Sequence, residues 1–338
     1  MRNRLVFLLL VLVMLPSVHA SSWRYDAVLE EAVEASAAVG SARIDLDTAR
    51  RDLERVEADP TSLLIARLQA EHAAERALGS LATARLRAED AAASAYGDVL
   101  EAADTVAIAE AALAIAERAL EATAIRLDAG AATRLDFDRA ENDRQGAARD
   151  LDDATARLTS ARNRLASLVA SDDAAPAALD PMPAVADTPA LERLLERAEE
   201  NAQVRAALQQ VALAEAQFAA VDNPISSARA DIEAARDRLA AARLQLGEQR
   251  RSLTLLLRQA HDAAGAAQSR LRSAEASLGT AREDERVQAL RFDSGVVSAL
   301  ALEQTRLQRM RLESQARAAE HALAAALRQL ESTLLGVR

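Results

Sequence analysis

Arg126-Leu-Asp-Ala-Gly130-Ala-Ala-Thr133-Arg-Leu-Asp136 is answered, 165 residues further on, by Arg291-Phe-Asp-Ser-Gly295-Val-Val-Ser298-Ala-Leu-Ala301. Each stretch interrupts a long run free of proline. A glycine just past a helix adopts the left-handed conformation that closes the last turn without a Cβ clash. Three residues on, Thr133 and Ser298 are placed to cap the amides of a following helix. Asp136 completes a capping-box pattern with Thr133, whereas Ala301 leaves Ser298 to cap alone. Both stretches therefore predict a tight reversal between antiparallel helices.

The prolines organise the rest. Pro60 and Pro224 stand alone in Asp59-Pro60-Thr61-Ser62 and Asp222-Asn223-Pro224-Ile225-Ser226. Pro176, Pro181, Pro183 and Pro189 share one stretch. Proline is excluded from helix interiors and suits turns. Helices are thus predicted over 26–58, 61–128, 134–170, 190–221, 226–292 and 298–335, with a Pro-rich linker at 171–189. Asp59-Pro60 and Asn223-Pro224 match at an offset of 164 residues, so the chain reads as a domain-sized duplication: repeat 21–170 and repeat 190–338. A period that long is not a solenoid.

Past each glycine turn the apolar pattern is heptad-like, through Phe137, Ala140, Arg144, Ala147 and Leu151, and through Leu302, Thr305, Arg309, Leu312 and Ala316. Steps of three and four sustained this way predict coiled-coil packing. Arg144 and Arg309 interrupt the two seams at equivalent places. Each is either an arginine snorkelling at the seam edge or a paired charge that fixes register. Segment 61–128 would be a rod of roughly 100 Å at about 1.5 Å per residue. The flanking segments 26–58 and 134–170, end to end, match its length. Such a sliver leaves apolar surface on several faces, so it must pack against its repeat mate and other subunits.

Composition agrees. The 338 residues hold 52 acids and 41 bases, the bases all arginine; half the chain is hydrophobic, yet only 2% is aromatic and there is no cysteine. Alanine and leucine carry the apolar fraction, which suits closely packed helices and cannot fill a sheet. The fold class is all-α: duplicated long-helix coiled-coil hairpins without membrane β-strands. A net charge of −11 argues against nucleic-acid binding. Residues 1–20 read as a secretory signal peptide, with Arg2 and Arg4 before the apolar run Leu5 to Leu15 and a small-residue site at Val18-His19-Ala20. Arg2 and Arg4 leave with it, taking the net charge to −13. No other segment is apolar enough to cross a membrane as a helix.

A long helix, a turn of form Arg-x-x-x-Gly-x-x-Ser/Thr, and a heptad helix ending at Leu334-Leu335-Gly336 resemble the TolC outer-membrane efflux protein family over nearly all of 21–338. The first repeat ends in Leu168-Val169-Ala170, without the glycine. The resemblance implies a homotrimer whose helices line a periplasmic tunnel. It also implies a tip that meets a periplasmic adaptor (membrane fusion) protein and, through it, an inner-membrane pump. The tip residues implied are Asp128, Gly130, Thr133, Asp136, Asp293, Gly295, Ser298 and Leu300; Ala301 stands where the family often has Asp. That family places two β-strands per repeat between the first helix and the long one. Here Asp59-Pro60 and Asn223-Pro224 leave no room for membrane strands of about 9–11 residues.

The expected function is a TolC-like periplasmic, outer-membrane-associated efflux component, a conduit or accessory of a tripartite efflux or type I secretion system. The alternative is an exported coiled-coil spacer without transport activity. An adaptor hairpin is disfavoured because adaptors also carry β-rich domains. No catalytic, cofactor or metal site is expected: His72, His261 and His321 are widely separated, and each reads as a surface or seam-edge histidine. Trp23 and Tyr25 read as packing the N-terminus onto the bundle.

Overall fold

The computed structural model describes residues 23–171, 175–176, 179–222 and 228–336. The signal peptide expected at 1–20 and the turn around Pro224 lie outside them. Among the described residues eight α-helices follow one another: α1 Tyr25–Ala35, α2 Ala37–Ala58, α3 Leu64–Asp128, α4 Arg134–Leu168, α5 Leu191–Glu196, α6 Ala202–Val221, α7 Arg229–Asp293 and α8 Ala299–Leu335; a 3-10 turn, Ala198–Glu200, separates α5 from α6. No strand occurs among the described residues.

Two corrections to the expected helices have one cause. Segment 26–58 is broken at Ser36, and segment 190–221 is broken at Asn201, 165 residues later. Both break residues have extended backbone and cap the helix that follows: Ser36 Oγ accepts from Val39 N at 3.4 Å, and Asn201 Oδ1 accepts from Gln203 N at 2.9 Å and Val204 N at 3.2 Å. Asn201 also donates through Nδ2 to the carbonyls of Thr333 (3.1 Å) and Leu334 (3.2 Å), the orphan groups at the end of α8. The break therefore recurs with the repeat.

α3 and α7 are the two long rods, of 65 residues and about 98 Å each. Near the glycine turns the helices lie side by side in the order α4, α3, α8, α7. At the far end the order is α2, α3, α6, α7. α3 is thus flanked on both sides, whereas α7 has α6 and α8 on one side only. Because α3 runs toward the turns and α8 away from them, charges on the two meet in antiparallel register. Arg118 pairs with Glu303, Asp104 with Arg317 (2.7 Å), Glu101 with His321 (3.1 Å) and Asp90 with Arg328 (2.9 Å).

The largest core cluster surrounds Tyr96, whose side chain is fully buried with Val28, Val99 and Leu165. Its ring meets that of Tyr25 edge-on, 5.4 Å between centroids. Its hydroxyl donates to the Asp180 carbonyl at 2.9 Å, with the Trp23 carbonyl at 3.3 Å. Burial pushes the Tyr96 phenol up to about 12. Trp23 and Tyr25 are thus half-buried against this cluster. The linker crosses the helices as a strap: Ala175 accepts from Arg162 on α4, Asp180 from Tyr96 on α3, and Asp187 from Gln268 on α7 at 2.8 Å. The strap passes close to α3 at Gly97, where a Cβ would stand in ordinary contact with His321 Nδ1 (3.6 Å) and Met182 Sδ (3.8 Å).

Candidate functional site

The two glycine turns lie at one end of the molecule. Arg118 and Glu303, paired across α3 and α8, sit only a few helical turns behind Gly130 and Gly295. In the first turn Gly130 takes φ 72°, its N–H donates to Leu127 O at 2.9 Å, and Ala131 N donates to Arg126 O at 2.7 Å. Thr133 then caps α4: its Oγ1 accepts from Asp136 N at 3.2 Å, and Asp136 Oδ2 accepts from Thr133 N at 2.9 Å. A third bond, Thr133 Oγ1 to Asp136 Oδ2 at 2.6 Å, closes the box. These bonds hold the Asp136 carboxyl below its usual range. Arg134 lies over the Phe137 ring at 4.9 Å and pairs with Asp138 at 2.9 Å.

The second turn repeats the geometry with fewer bonds. Gly295 takes φ 69°, its N–H donates to Phe292 O at 2.9 Å, and Val296 N donates to Arg291 O at 2.8 Å. Ser298 Oγ accepts from Ala301 N at 3.2 Å, and Ala301 has nothing to return.

Asp128, Gly130, Thr133, Asp293, Gly295 and Ser298 are exposed, while Asp136 and Leu300 are half-buried. The structure gathers all eight around the two turns. It adds Ile125, Leu135, Leu290, Phe292 and Val296, large hydrophobics that stand in solvent there. Sequence reading missed these because a lone apolar residue at the end of a heptad pattern looks like its last core position.

Arg144 and Arg309 behave differently. Arg309 bridges helices, pairing with Glu285 of α7 at 2.6 Å and with Glu313 of its own α8. Glu313 is shared with Arg282 and Arg317, and Arg317 reaches Asp104, so one network ties α7 to α8 to α3. Arg144 pairs only within α4, with Glu141 at 2.9 Å. Arg144 and Gln145 hold the Glu141 carboxyl down at about 2. The histidines also divide. His321 contacts Glu101, His261 is half-buried beside Asp262, and His72 is buried, which leaves the seam-edge and not the surface alternative for it. No cluster of three or more candidate metal ligands, and no helix long and apolar enough to cross a membrane, occurs among the described residues.

Comparison of the fold with solved structures decides the class. The chain is similar to a membrane protein from Pseudomonas aeruginosa, with a TM-score of 0.65 and 17% identity over 92% of this chain and 90% of that one. It is similar to CusC, studied for its folding and transmembrane channel formation, with a TM-score of 0.64 and 14% identity over 93% and 96%. The Campylobacter jejuni CmeC outer membrane channel gives 0.64 and 10% over 92% and 85%. This is the TolC-like fold. Other TolC-like structures that match are outer-membrane proteins too, VceC of Vibrio cholerae and MtrE of Neisseria gonorrhoeae among them. No protein-family model and no curated protein sequence matches the chain. The helical part of the TolC-like fold is therefore present although identity to the first three of these structures is only 10–17%.

Proposed function

We propose that this protein is an exported, outer-membrane-associated component of a tripartite efflux or type I secretion system. It acts as a homotrimeric helical conduit or its accessory. Two repeats, 21–170 and 190–338, joined by the 171–189 linker, supply each protomer's staves. The observation that carries the reading is the common end of α3 and α7. Two reversals built alike, Gly130 to Asp136 and Gly295 to Leu300, present exposed apolar side chains with Asp128 and Asp293 beside them. That surface fits the hairpin of a periplasmic adaptor, which would in turn engage an inner-membrane pump.

The opposite end supports an accessory or strandless conduit. Between α2 and α3 there is only a turn, in which Asp59 Oδ1 accepts from Thr61 N at 2.9 Å and Arg67 Nε donates to Ser62 Oγ at 2.8 Å. Five residues, 59–63, cannot hold two membrane strands of about 9–11 residues each.

Light scattering on the size-separated, detergent-free chain is the first test, and a soluble trimer is the expected result. A monomer at all concentrations would favour the coiled-coil spacer reading. Replacing both turns by unrelated short loops should abolish cross-linking to a cognate adaptor, and unchanged cross-linking would refute the tip assignment.

A further inference from the structure

α3 is covered on both flanks; α7 presents one flank to solvent, and so do α2 and α4 on the opposite side of the molecule. The repeat supplies a template for what covers them. Within the chain, the second repeat docks on α3 of the first: Gln209 of α6 meets Glu75 of α3, and Gly79, one turn along, lines a groove of about 750 Å³ with Arg205 and Ala206. Applying the repeat spacing of 165 residues turns this internal junction into one between two copies. Gln209 becomes Ile44, Arg205 becomes Gly40, Glu75 becomes Ala240 and Gly79 becomes Leu244.

The substitutions are informative. The polar pair Gln209 and Glu75 is replaced by Ile44 and Ala240, and the open groove at Gly79 is filled by Leu244. Ile44 is 66% exposed and Leu244 is 71% exposed, one on each uncovered edge. Gly40 faces open space within 4 Å, leaving room for the leucine. The charges agree in the same antiparallel register. Helix α1 carries Asp26, Glu30, Glu31 and Glu34 and no base. Glu34 falls within one residue of Arg251, and Asp26 falls level with Arg258 of α7. Asp26, Glu34 and Arg258 are exposed and form no ion pair, and Arg251 pairs only with Glu248 on its own helix.

We propose that a second copy of this chain docks its α1–α2 edge on the open flank of α7, with Ile44 seated between Ala240 and Leu244 and with Glu34 and Asp26 facing Arg251 and Arg258. The proposal rests on the barrel reading and names the contact that closes it. An apolar anchor ringed by complementary charge fixes both strength and head-to-tail polarity.

Sedimentation of the exported chain tests it, with circular dichroism confirming that each variant stays helical, as expected for exposed positions. Leu244→Asp and Ile44→Asp should each weaken self-association by at least about tenfold. Glu34→Arg and Arg251→Glu should each weaken it, and together should restore it. Assembly that ignores both apolar variants would overturn the docking contact and leave the barrel reading standing. Failure of the charge swap to restore assembly would overturn the pairing of Glu34 with Arg251. A wild-type chain that never assembles would overturn the barrel reading itself.

Discussion

Ala170 and Gly336 end equivalent helices in the same left-handed conformation, at φ 50° and φ 79°. For alanine this brings Cβ against the carbonyl, at roughly 1–2 kcal/mol. Ala170→Gly should therefore stabilise the protein by about 1 kcal/mol, read as a higher midpoint in urea unfolding. Gly336→Ala should destabilise by more, because its Cβ would stand 2.9 Å from Asn201 Nδ2 and 3.1 Å from Ala202 N as well as incurring the strain. The two arginines of the seams differ for a reason equally local to side chains. The residues that hold Arg309, Glu285 and Glu313, correspond to Leu120 and Ala148 in the first repeat. Arg309→Ala should cost about 1 kcal/mol by cutting the direct link between α7 and α8, because Glu285 keeps Arg306 and Glu313 keeps Arg282 and Arg317, and Arg144→Ala should cost less. Glu141 carries a pH consequence. Its carboxyl lies near 2 when folded against an ordinary 4.5, so its contribution to stability is complete above about 4.5 and is lost as pH falls toward 2. A carboxyl titration by NMR with a midpoint near 4.5 would contradict the Arg144 and Gln145 contacts.

At the scale of elements, what was legible was what is encoded locally. Gly130 with Thr133 and Gly295 with Ser298 announce their turns because left-handed backbone and a capping hydroxyl are properties of a few adjacent residues. The breaks at Ser36 and Asn201 were not legible. Serine and asparagine are tolerated inside helices, and the Asn201 break is held by the carbonyls of Thr333 and Leu334, more than 130 residues away. Asn201→Ala removes a cap and the donor shared by the Thr333 and Leu334 carbonyls together, and should cost about 2–4 kcal/mol. Ser36→Ala, with one bond at 3.4 Å, should cost about 0.5–1 kcal/mol. The strap was visible as a proline cluster, but its path was not, because its anchor is the Tyr96 hydroxyl. Tyr96→Phe keeps the ring in place and leaves a buried carbonyl short of a donor. Proteolysis within 171–189 should accelerate severalfold while the helical signal holds.

At the scale of the whole molecule, length follows from two 65-residue helices. Small-angle scattering of dilute protein should give a longest dimension of at least about 100 Å; a much shorter particle would mean folded-back hairpins. The all-α class and the duplication were readable from alanine, leucine and the positions of proline. The exposed apolar end and the uncovered flank of α7 were not, since a residue facing a partner looks, in one chain's sequence, like one facing a core.

The row of charges between α3 and α8 has a mechanical meaning. Arg118–Glu303, Asp104–Arg317, Glu101–His321 and Asp90–Arg328 span the shared length of the two helices and resist sliding between the halves of one chain. One repeat spacing away, Arg118 and Glu303 themselves are replaced by Glu283 and Asp138, two acids already neutralised within their own helices by Arg286 and Arg134. Each chain is thus a stiff plank, riveted along its own midline and unriveted at its margins near the turns. In the proposed barrel, the end near the turns widens or narrows by the planks parting from one another.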